Sequence, residues 1–308
     1  MAKFLGINVI QLAVKPWRFD DARNASLASL PDDIDYCIAL DMDEVLLPGW
    51  REELEKAHKN GATRPRYQYT WNWKEDGTPG LQYGGDKIHS RFGYRWKHPV
   101  HEVLTAYGDF QEKQEWVGLE IHHHADDTKP RSQYLPLLKQ AVKEDPYDDR
   151  NAFYYARELF FYNETEEAKE EFKRHLELPR AIWPPERAAS MRYLAKVDTE
   201  NAKDWLLKAI AEAPGRREAL VEMASWGYQH KQWDICLQYA ELALSITEKP
   251  LDYLCEEFAW GFLPYDLAAL ANYYLGNKSK AKEYGKKALE LDPTNERLDI
   301  NLAWYTRE

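Results

Sequence analysis

The sequence has few cysteines and no long apolar run. Its three cysteines, Cys37, Cys236 and Cys255, are far apart, and no C-x-x-C pair occurs. An odd count of distant cysteines argues against a disulfide framework and favours a reducing compartment. No apolar stretch approaches the roughly 18 residues of a membrane helix. The first residues lack the apolar core of a signal peptide, so we expect a cytoplasmic protein.

Positively charged residues are also fewer than negatively charged ones. Lys and Arg number 41 against 52 Asp and Glu, which gives a formal net charge of -11. This balance disfavours general binding to nucleic acid or to an anionic membrane. The chain is 44% apolar and 30% charged, as globular proteins are, and its 308 residues suit two domains.

Small residues recur at a fixed interval in the second half. Ala168, Ala202 and Cys236 are each 34 residues apart, and Ala281 follows after 45. Small residues also recur twelve positions before this series, at Ala156, Ser190, Ala224 and Ala269, and prolines close the units at Pro179, Pro214, Pro250 and Pro293. Small side chains let two helices approach closely, and proline ends a helix. The pattern therefore predicts stacked helical hairpins.

This spacing resembles the tetratricopeptide repeat, whose period is 34 residues. The resemblance covers about residues 147–308, and we assign residues 133–308 to an all-α repeat domain. The extra residues around Lys249–Trp260 indicate an insertion at a hairpin junction. An array of this kind implies a scaffold that holds peptides or other chains.

The first half alternates predicted strands and helices. Residues 7–14 are rich in β-branched residues and predict a strand, while Asp21–Leu30 and Trp50–Lys59 predict helices. The apolar run Tyr36–Leu40 is typical of a buried parallel strand. Further strands are predicted after these elements, at Tyr67–Trp73, Lys87–Tyr94, Glu102–Thr105 and Trp116–His123.

Three acids follow the strand at Tyr36–Leu40, namely Asp41, Asp43 and Glu44. Carboxylates repel one another and are costly to desolvate, so a positive charge should lie among them. Carboxylate oxygens suit Mg²⁺ or Mn²⁺, and the carboxyl end of a parallel strand is where α/β sheets place ligands. The alternative is that the acids cap a helix N-terminus at the surface.

Arg23-Asn24 together with Ala39–Trp50 resembles a GT-A glycosyltransferase of the family 2 type, whose hallmark is Asp-x-Asp at a strand end. The resemblance implies a partial, Rossmann-like α/β domain over residues 1–132 that binds a nucleotide sugar, specifically a UDP-sugar. It also implies that Asp43 binds the metal, that Asp41 lies near the ribose and that Arg23 contacts the nucleotide.

Two further segments carry side chains suited to sugar transfer. Glu102 is the candidate base for the acceptor hydroxyl, with His101 beside it as the weaker candidate. Histidine is a good ligand for Mn²⁺, and family members often complete the metal site with a distal histidine. We therefore expect His123 as a ligand, with His122 as the next choice. Lys129 and Arg131 would neutralise the leaving diphosphate; the alternative for both is an ordinary solvated helix start.

The sequence departs from that family at its beginning. Its first residues resemble the segment before the third strand, so about 60 to 70 residues of the usual fold are absent, by the size of βαβ units. The domain is then a reduced enzyme, one completed by another polypeptide, or one that kept only a binding surface. Because its sheet would have an open edge, we expect another copy, a partner chain or the repeats to cover it.

The leading hypothesis is a metal-dependent inverting glycosyltransferase, using Mn²⁺ or Mg²⁺, that transfers sugar to a glycan or protein acceptor held near the repeats. The alternative is a catalytically reduced interaction scaffold whose repeats bind a partner. A metal-dependent hydrolase built on the acids and histidines is a third hypothesis.

Overall fold

The computed structural model of the protein describes residue 6, residues 8–126 and residues 133–306. The chain divides into two compact units, Met1–Pro146 and Tyr147–Glu308. Among the helices of the described ranges, none combines the length and the apolar character that crossing a bilayer requires.

Over its described residues, the first unit combines short strands with three helices. The helices are α1 (Phe19–Ala28), α2 (Trp50–Lys59) and α3 (Tyr134–Glu144). The strands are β1 (Tyr36–Ile38), β2 (Glu44–Leu46), β3 (Arg64–Thr70), β4 (Gln82–Gly85), β5 (Ile88–Ser90), β6 (Tyr94–Lys97), β7 (Val103–Ala106) and β8 (Gln114–His123).

These strands form small sheets. One sheet has the order β2-β8-β3-β4, in which β3 and β8 run parallel and the other pairs antiparallel. The pairs β1-β5 and β6-β7 are separate and antiparallel. The prediction that the run after Tyr36 is a parallel strand was therefore wrong. Continuous apolar character reports burial on both faces, and it does not specify the direction of the partner strand.

The helix predicted at Trp50–Lys59 is confirmed as α2. Leu54 and Ala57 are buried one turn apart, so the helix presents one apolar stripe to the unit's core. Acids in its first turn and bases in its last turn match the helix dipole. The core beneath it is built from side chains of the helix and the sheets: Leu54, Tyr67, Tyr69, Ile88, Leu119 and Ile121.

The strand predicted at residues 7–14 is wrong over residues 8–14, which carry no strand. Val9, Ile10 and Leu12 are 62%, 55% and 45% exposed. β-branched residues favour strands by packing on a pleated, half-buried surface, and these residues have no such surface to pack on.

The second unit is a stack of hairpins, as the repeat spacing predicts. Its helices are α4 (Asp149–Phe161), α5 (Thr165–Glu177), α6 (Pro184–Val197), α7 (Ala202–Glu212), α8 (Arg217–Gln229), α9 (Trp233–Ser245), α10 (Leu263–Tyr274), α11 (Lys278–Leu291) and α12 (Glu296–Thr306). Each even-numbered helix up to α10 pairs with the helix after it, and these first helices also pack on one another.

The small residues lie where the helices cross. All members of the series that begins at Ala156 are completely buried, and so are most of the series that begins at Ala168. Gly227 shows how close the contact is, since a Cβ there would lie 2.7 Å from the backbone nitrogen of Cys236. The predicted insertion is also confirmed: Lys249–Trp260 lies in the long connection between α9 and α10.

Candidate functional site

The acids after β1 are neutralised by a lysine from a distant part of the chain. Lys87 Nζ lies 2.7 Å from both Asp41 Oδ2 and Glu44 Oε1. Glu44 also accepts hydrogen bonds from the Tyr69 hydroxyl at 2.6 Å and from the Asp41 amide at 2.9 Å. The Glu44 side chain is 1% exposed, so its charge depends on these protein donors.

Arg23 provides the second cation of this network. Its Nη2 donates to Asp41 Oδ1 at 2.7 Å, and its Nε donates to Glu102 Oε1. The guanidinium also lies 4.9 Å from the Trp96 ring centre. Asn24 bonds both backbone polar groups of Trp96, which fixes α1 against β6 and so positions Arg23. Glu102, the predicted base, is thus committed to an ion pair.

The ionised forms of these side chains stabilise one another. Burial alone would lower the pKa of Lys87, but the charges of Glu44 and Asp41 hold that pKa above its ordinary value. Burial would raise the pKa of Asp41, and Lys87 and Arg23 together hold it below its ordinary value. Two cations therefore face three carboxylates in this network.

Asp43 and His123, predicted as metal ligands, do lie together. The pairing of β2 with β8 sets Glu44 opposite His123 and brings His123 Nε2 to 3.8 Å from Asp43 Oδ2. His123 Nδ1 lies 2.8 Å from the Trp71 carbonyl oxygen, and the ring stacks on Trp71 at 4.6 Å. The second nitrogen and the ring face are thus already engaged by the protein.

The other predicted residues lie elsewhere or outside the description. His122 and His124 contact Trp73, on the face opposite to His123, as strand alternation requires. His122 Nε2 is 3.3 Å from Glu120. His101 has a left-handed backbone (φ 51°) and its ring centre lies 5.6 Å from that of Tyr134. Lys129 and Arg131 lie outside the described residues.

The described residues offer few side chains that could together bind a divalent cation. Within the described part of the chain, no three His, Cys, Asp or Glu side chains gather so that they could hold a metal ion. Asp43 and His123 make one pair, while Asp41 and Glu44 are bound to Lys87. Mg²⁺ requires a near-octahedral set of oxygen ligands, to which this pair contributes a single carboxylate.

Ser190, His175 and Glu186 of the second unit form a polar triad that has the composition of a hydrolase site but is closed to substrate. Ser190 Oγ is 2.9 Å from His175 Nδ1, and His175 Nε2 is 3.4 Å from Glu186 Oε1. Ser190 and His175 are completely buried and Glu186 is 4% exposed. No substrate can reach the hydroxyl, so the triad joins α5 to α6 as a buried polar contact.

An aromatic row on the second unit, which was not predicted from the sequence, is formed by two exposed tyrosines, Tyr228 and Tyr274, and the half-buried Trp233 between them. The Trp233 and Tyr274 rings stack at 4.0 Å with an angle of 8°, and Tyr228 meets Trp233 edge-on at 6.0 Å. Tyr228 is 43% and Tyr274 57% exposed. The signal was present, because Tyr228 and Tyr274 both lie within two residues of the C-terminal end of a first helix.

No family profile matches the sequence, and no curated protein matches it. Solved structures similar to this chain include PilF of Pseudomonas aeruginosa, at 17% identity over 55% of this chain and 72% of PilF, with a TM-score of 0.44. YrrB, described as a TPR protein with an unusual peptide-binding site, is 17% identical over 55% of this chain and 81% of its own, with a TM-score of 0.44. TTC0263, a TPR protein of Thermus thermophilus, is 17% identical over 56% and 88%, with a TM-score of 0.38.

The expectation of a metal-dependent inverting glycosyltransferase is therefore wrong. The solved structures to which this chain is similar include the TPR proteins YrrB and TTC0263. The local structure agrees, because the predicted base Glu102 and the predicted ribose contact Asp41 are both held by Arg23. The positive charge that the acids require comes from the chain itself.

Proposed function

We propose that the protein is an interaction scaffold whose helical hairpins bind an acidic, aromatic-rich segment of a partner polypeptide. The observation that carries the proposal is the aromatic row Tyr228, Trp233 and Tyr274. Exposed aromatic side chains that already stack on one another present a large apolar area and lose little conformational entropy on binding. Such clusters mark interaction sites on soluble proteins.

The charges beside the row select the chemistry of the partner. Lys231 lies in the turn between Tyr228 and Trp233, and Lys278 and Lys280 follow Tyr274; all three are exposed. Asp234 is the one acid at residues 228–234 and 274–280, and Glu241 lies 3.9 Å from Lys280, so three lysines face two acids here. In a chain of net charge -11, this local excess of lysine favours a segment that carries carboxylates beside its apolar side chains.

An array of synthetic peptides that vary in net charge and aromatic content tests the proposal. The purified protein should retain peptides that combine net negative charge with aromatic residues. Trp233→Ala should weaken binding of the retained peptides at least tenfold, as loss of a central aromatic residue does at interfaces. Lys231→Glu combined with Lys278→Glu should weaken binding further, and the effect should shrink as salt is raised.

Trp304→Ala is the matched control. Trp304 is an exposed tryptophan (49%) on α12 of the same unit, away from the aromatic row in sequence, whereas Trp233 is half-buried. Its removal should leave peptide affinity unchanged. The proposal fails if retained peptides show no preference for acidic residues, or if the Trp233 and Trp304 variants bind equally well.

A further inference from the structure

The insertion between α9 and α10 lies against the first helices of earlier hairpins. We call residues Lys249–Trp260 the strap. Leu254, Cys255 and Ala259 of the strap are 5%, 1% and 0% exposed, so this connection is packed into the repeat unit. Ala259 belongs to the apolar core cluster that α8, α9 and α10 share.

Two carboxylates of the strap bind arginines of the hairpins. Asp252 Oδ2 lies 2.5 Å from Arg216 Nη1, and four residues later Glu256 Oε1 lies 2.8 Å from Arg192 Nη1. Arg192 and Arg216 are 4% and 9% exposed, so the strap covers them. A third arginine, Arg217, donates to the Ala259 carbonyl oxygen at 3.4 Å.

Aromatic side chains of the strap make further contacts beside these ion pairs. The Tyr253 ring lies 6.1 Å from that of Tyr154 at an angle of 19°, and its hydroxyl donates to Glu186 at 2.5 Å. The Trp260 ring lies 4.1 Å from the Arg217 guanidinium. The strap, which contains a turn and a short 3₁₀ helix at Glu257–Ala259, is therefore held by its acidic and aromatic side chains as a bound peptide would be.

The arginines do not need the strap to stay in place. Arg192 donates two hydrogen bonds to Glu222, at 2.9 and 2.8 Å, and Arg216 lies 3.1 Å from Glu218. These acids lie on α8, so each guanidinium is held by the hairpins themselves. The hairpins therefore keep both guanidinium groups in position when the strap leaves, which lowers the cost of binding a replacement.

We infer that the strap fills, within its own chain, a surface that also takes a partner segment with two carboxylates four residues apart and aromatic side chains beside them. The partner displaces the strap from Arg192 and Arg216. The strap competes as a tethered ligand at millimolar effective concentration, so only segments that bind more tightly than it does gain access. The inference rests on the repeats being a scaffold, but it concerns a surface distinct from the aromatic row.

Peptide competition tests the inference on the full chain. The probe is a fluorescein-labelled peptide of residues 249–262, and the loosened variant is Asp252→Asn with Glu256→Gln. Fluorescence polarisation should show the probe binding the loosened variant at least tenfold more tightly than the native protein. A probe carrying the same two amide substitutions should bind neither. Equal affinity of the probe for both proteins, or of both probes for the loosened variant, would overturn the inference.

Cysteine labelling tests strap opening in the native protein, in case the loosened variant does not fold. Burial raises the pKa of Cys255, in the strap, and of Cys236, on α9, to about 12, so both thiols are unreactive while the strap is seated. Strap opening exposes Cys255 alone. Iodoacetamide should modify Cys255 at least tenfold faster than Cys236, and equal rates would show that the strap leaves only when the unit unfolds.

Trp233→Ala in the loosened background separates this inference from the proposed function. The tenfold gain of the loosened variant over the native protein should persist when both carry Trp233→Ala, because any binding of this acidic, aromatic peptide to the row is the same in both. If the aromatic row binds no peptide but the strap peptide still binds the loosened variant, the row is refuted and the strap surface stands. The reverse result refutes the strap surface alone.

Discussion

Replacing Lys87 with methionine tests whether the chain itself supplies the charge that Asp41 and Glu44 require. Lys87 Nζ is 2.7 Å from both carboxylates. Methionine keeps most of the side-chain volume and removes the ammonium group. The Glu44 carboxylate would then be a 1% exposed anion with two hydrogen-bond donors and no cation in contact.

The expected loss of stability depends on how deeply each carboxylate partner of Lys87 is buried. Breaking a buried ion pair typically costs about 3 to 5 kcal/mol, because one charge remains desolvated and uncompensated. Asp41 is 41% exposed and keeps Arg23, so water and that arginine screen its share of the loss. We therefore expect the free energy of unfolding of the first unit to fall by about 3 kcal/mol, the lower end of that range.

Hydrogen exchange of the backbone amides in β3 and β8 measures this loss in the first unit alone. A single global transition would mix the two units, which need not unfold together. Glu44→Gln in the Lys87→Met background should restore most of the stability, since no buried charge is then unpaired. Lys56→Met, which breaks an exposed pair with Glu53, should have no measurable effect. A loss below about 1 kcal/mol, or no rescue by Glu44→Gln, would refute the reasoning.

Three further predictions follow from particular contacts. Tyr69→Phe removes the hydroxyl that donates to Glu44 at 2.6 Å, and should cost about 1.5 to 3 kcal/mol in the same exchange measurement, while no change would contradict the contact. Gly227→Ala should cost the second unit about 1 to 3 kcal/mol in urea unfolding, because its Cβ meets backbone, whereas Gly215→Ala, with open space around its Cβ, should be neutral or stabilising. The pKa of Asp41 is lower in the folded state than its ordinary value of 3.8, so its ionised form stabilises the fold above pH 3.8. This stability is lost as the pH falls through the lower, folded-state pKa. Asp41→Asn should remove that pH dependence from acid-unfolding curves.

The helical half was predictable because its signals are local. A small residue at each crossing and a proline after each hairpin specify where two helices approach and where the second one ends. Both features recur at a fixed interval, and each hairpin packs mainly on its neighbours, so no distant pairing had to be inferred. The insertion was also visible as extra residues before Ala281. Its seating on Arg192 and Arg216 was not, since ion pairs 36 or more residues apart leave no spacing signal.

The first half was harder because its pairings are between distant residues. Lys87 is 46 residues from Asp41, and sequence placed it at the start of a strand without assigning it a partner. A short apolar run such as β1 does not reveal whether its neighbour runs parallel or antiparallel. The helix α2 is predictable from sequence, since its apolar stripe, its acidic first turn and its basic last turn all agree.

The acidic cluster shows where electrostatic reasoning from sequence stops. Three carboxylates within four residues require compensating positive charge, and that requirement is met. Coulomb's law does not distinguish a bound cation from a lysine or an arginine that the fold brings to the same place. Asp43 and His123 do come within 3.8 Å, so the predicted proximity is real. Proximity makes a metal site only where enough ligands converge. Nδ1–H of His123 donates to the Trp71 carbonyl oxygen and leaves the Nε2 lone pair facing Asp43, but Asp41 and Glu44 already bind Lys87.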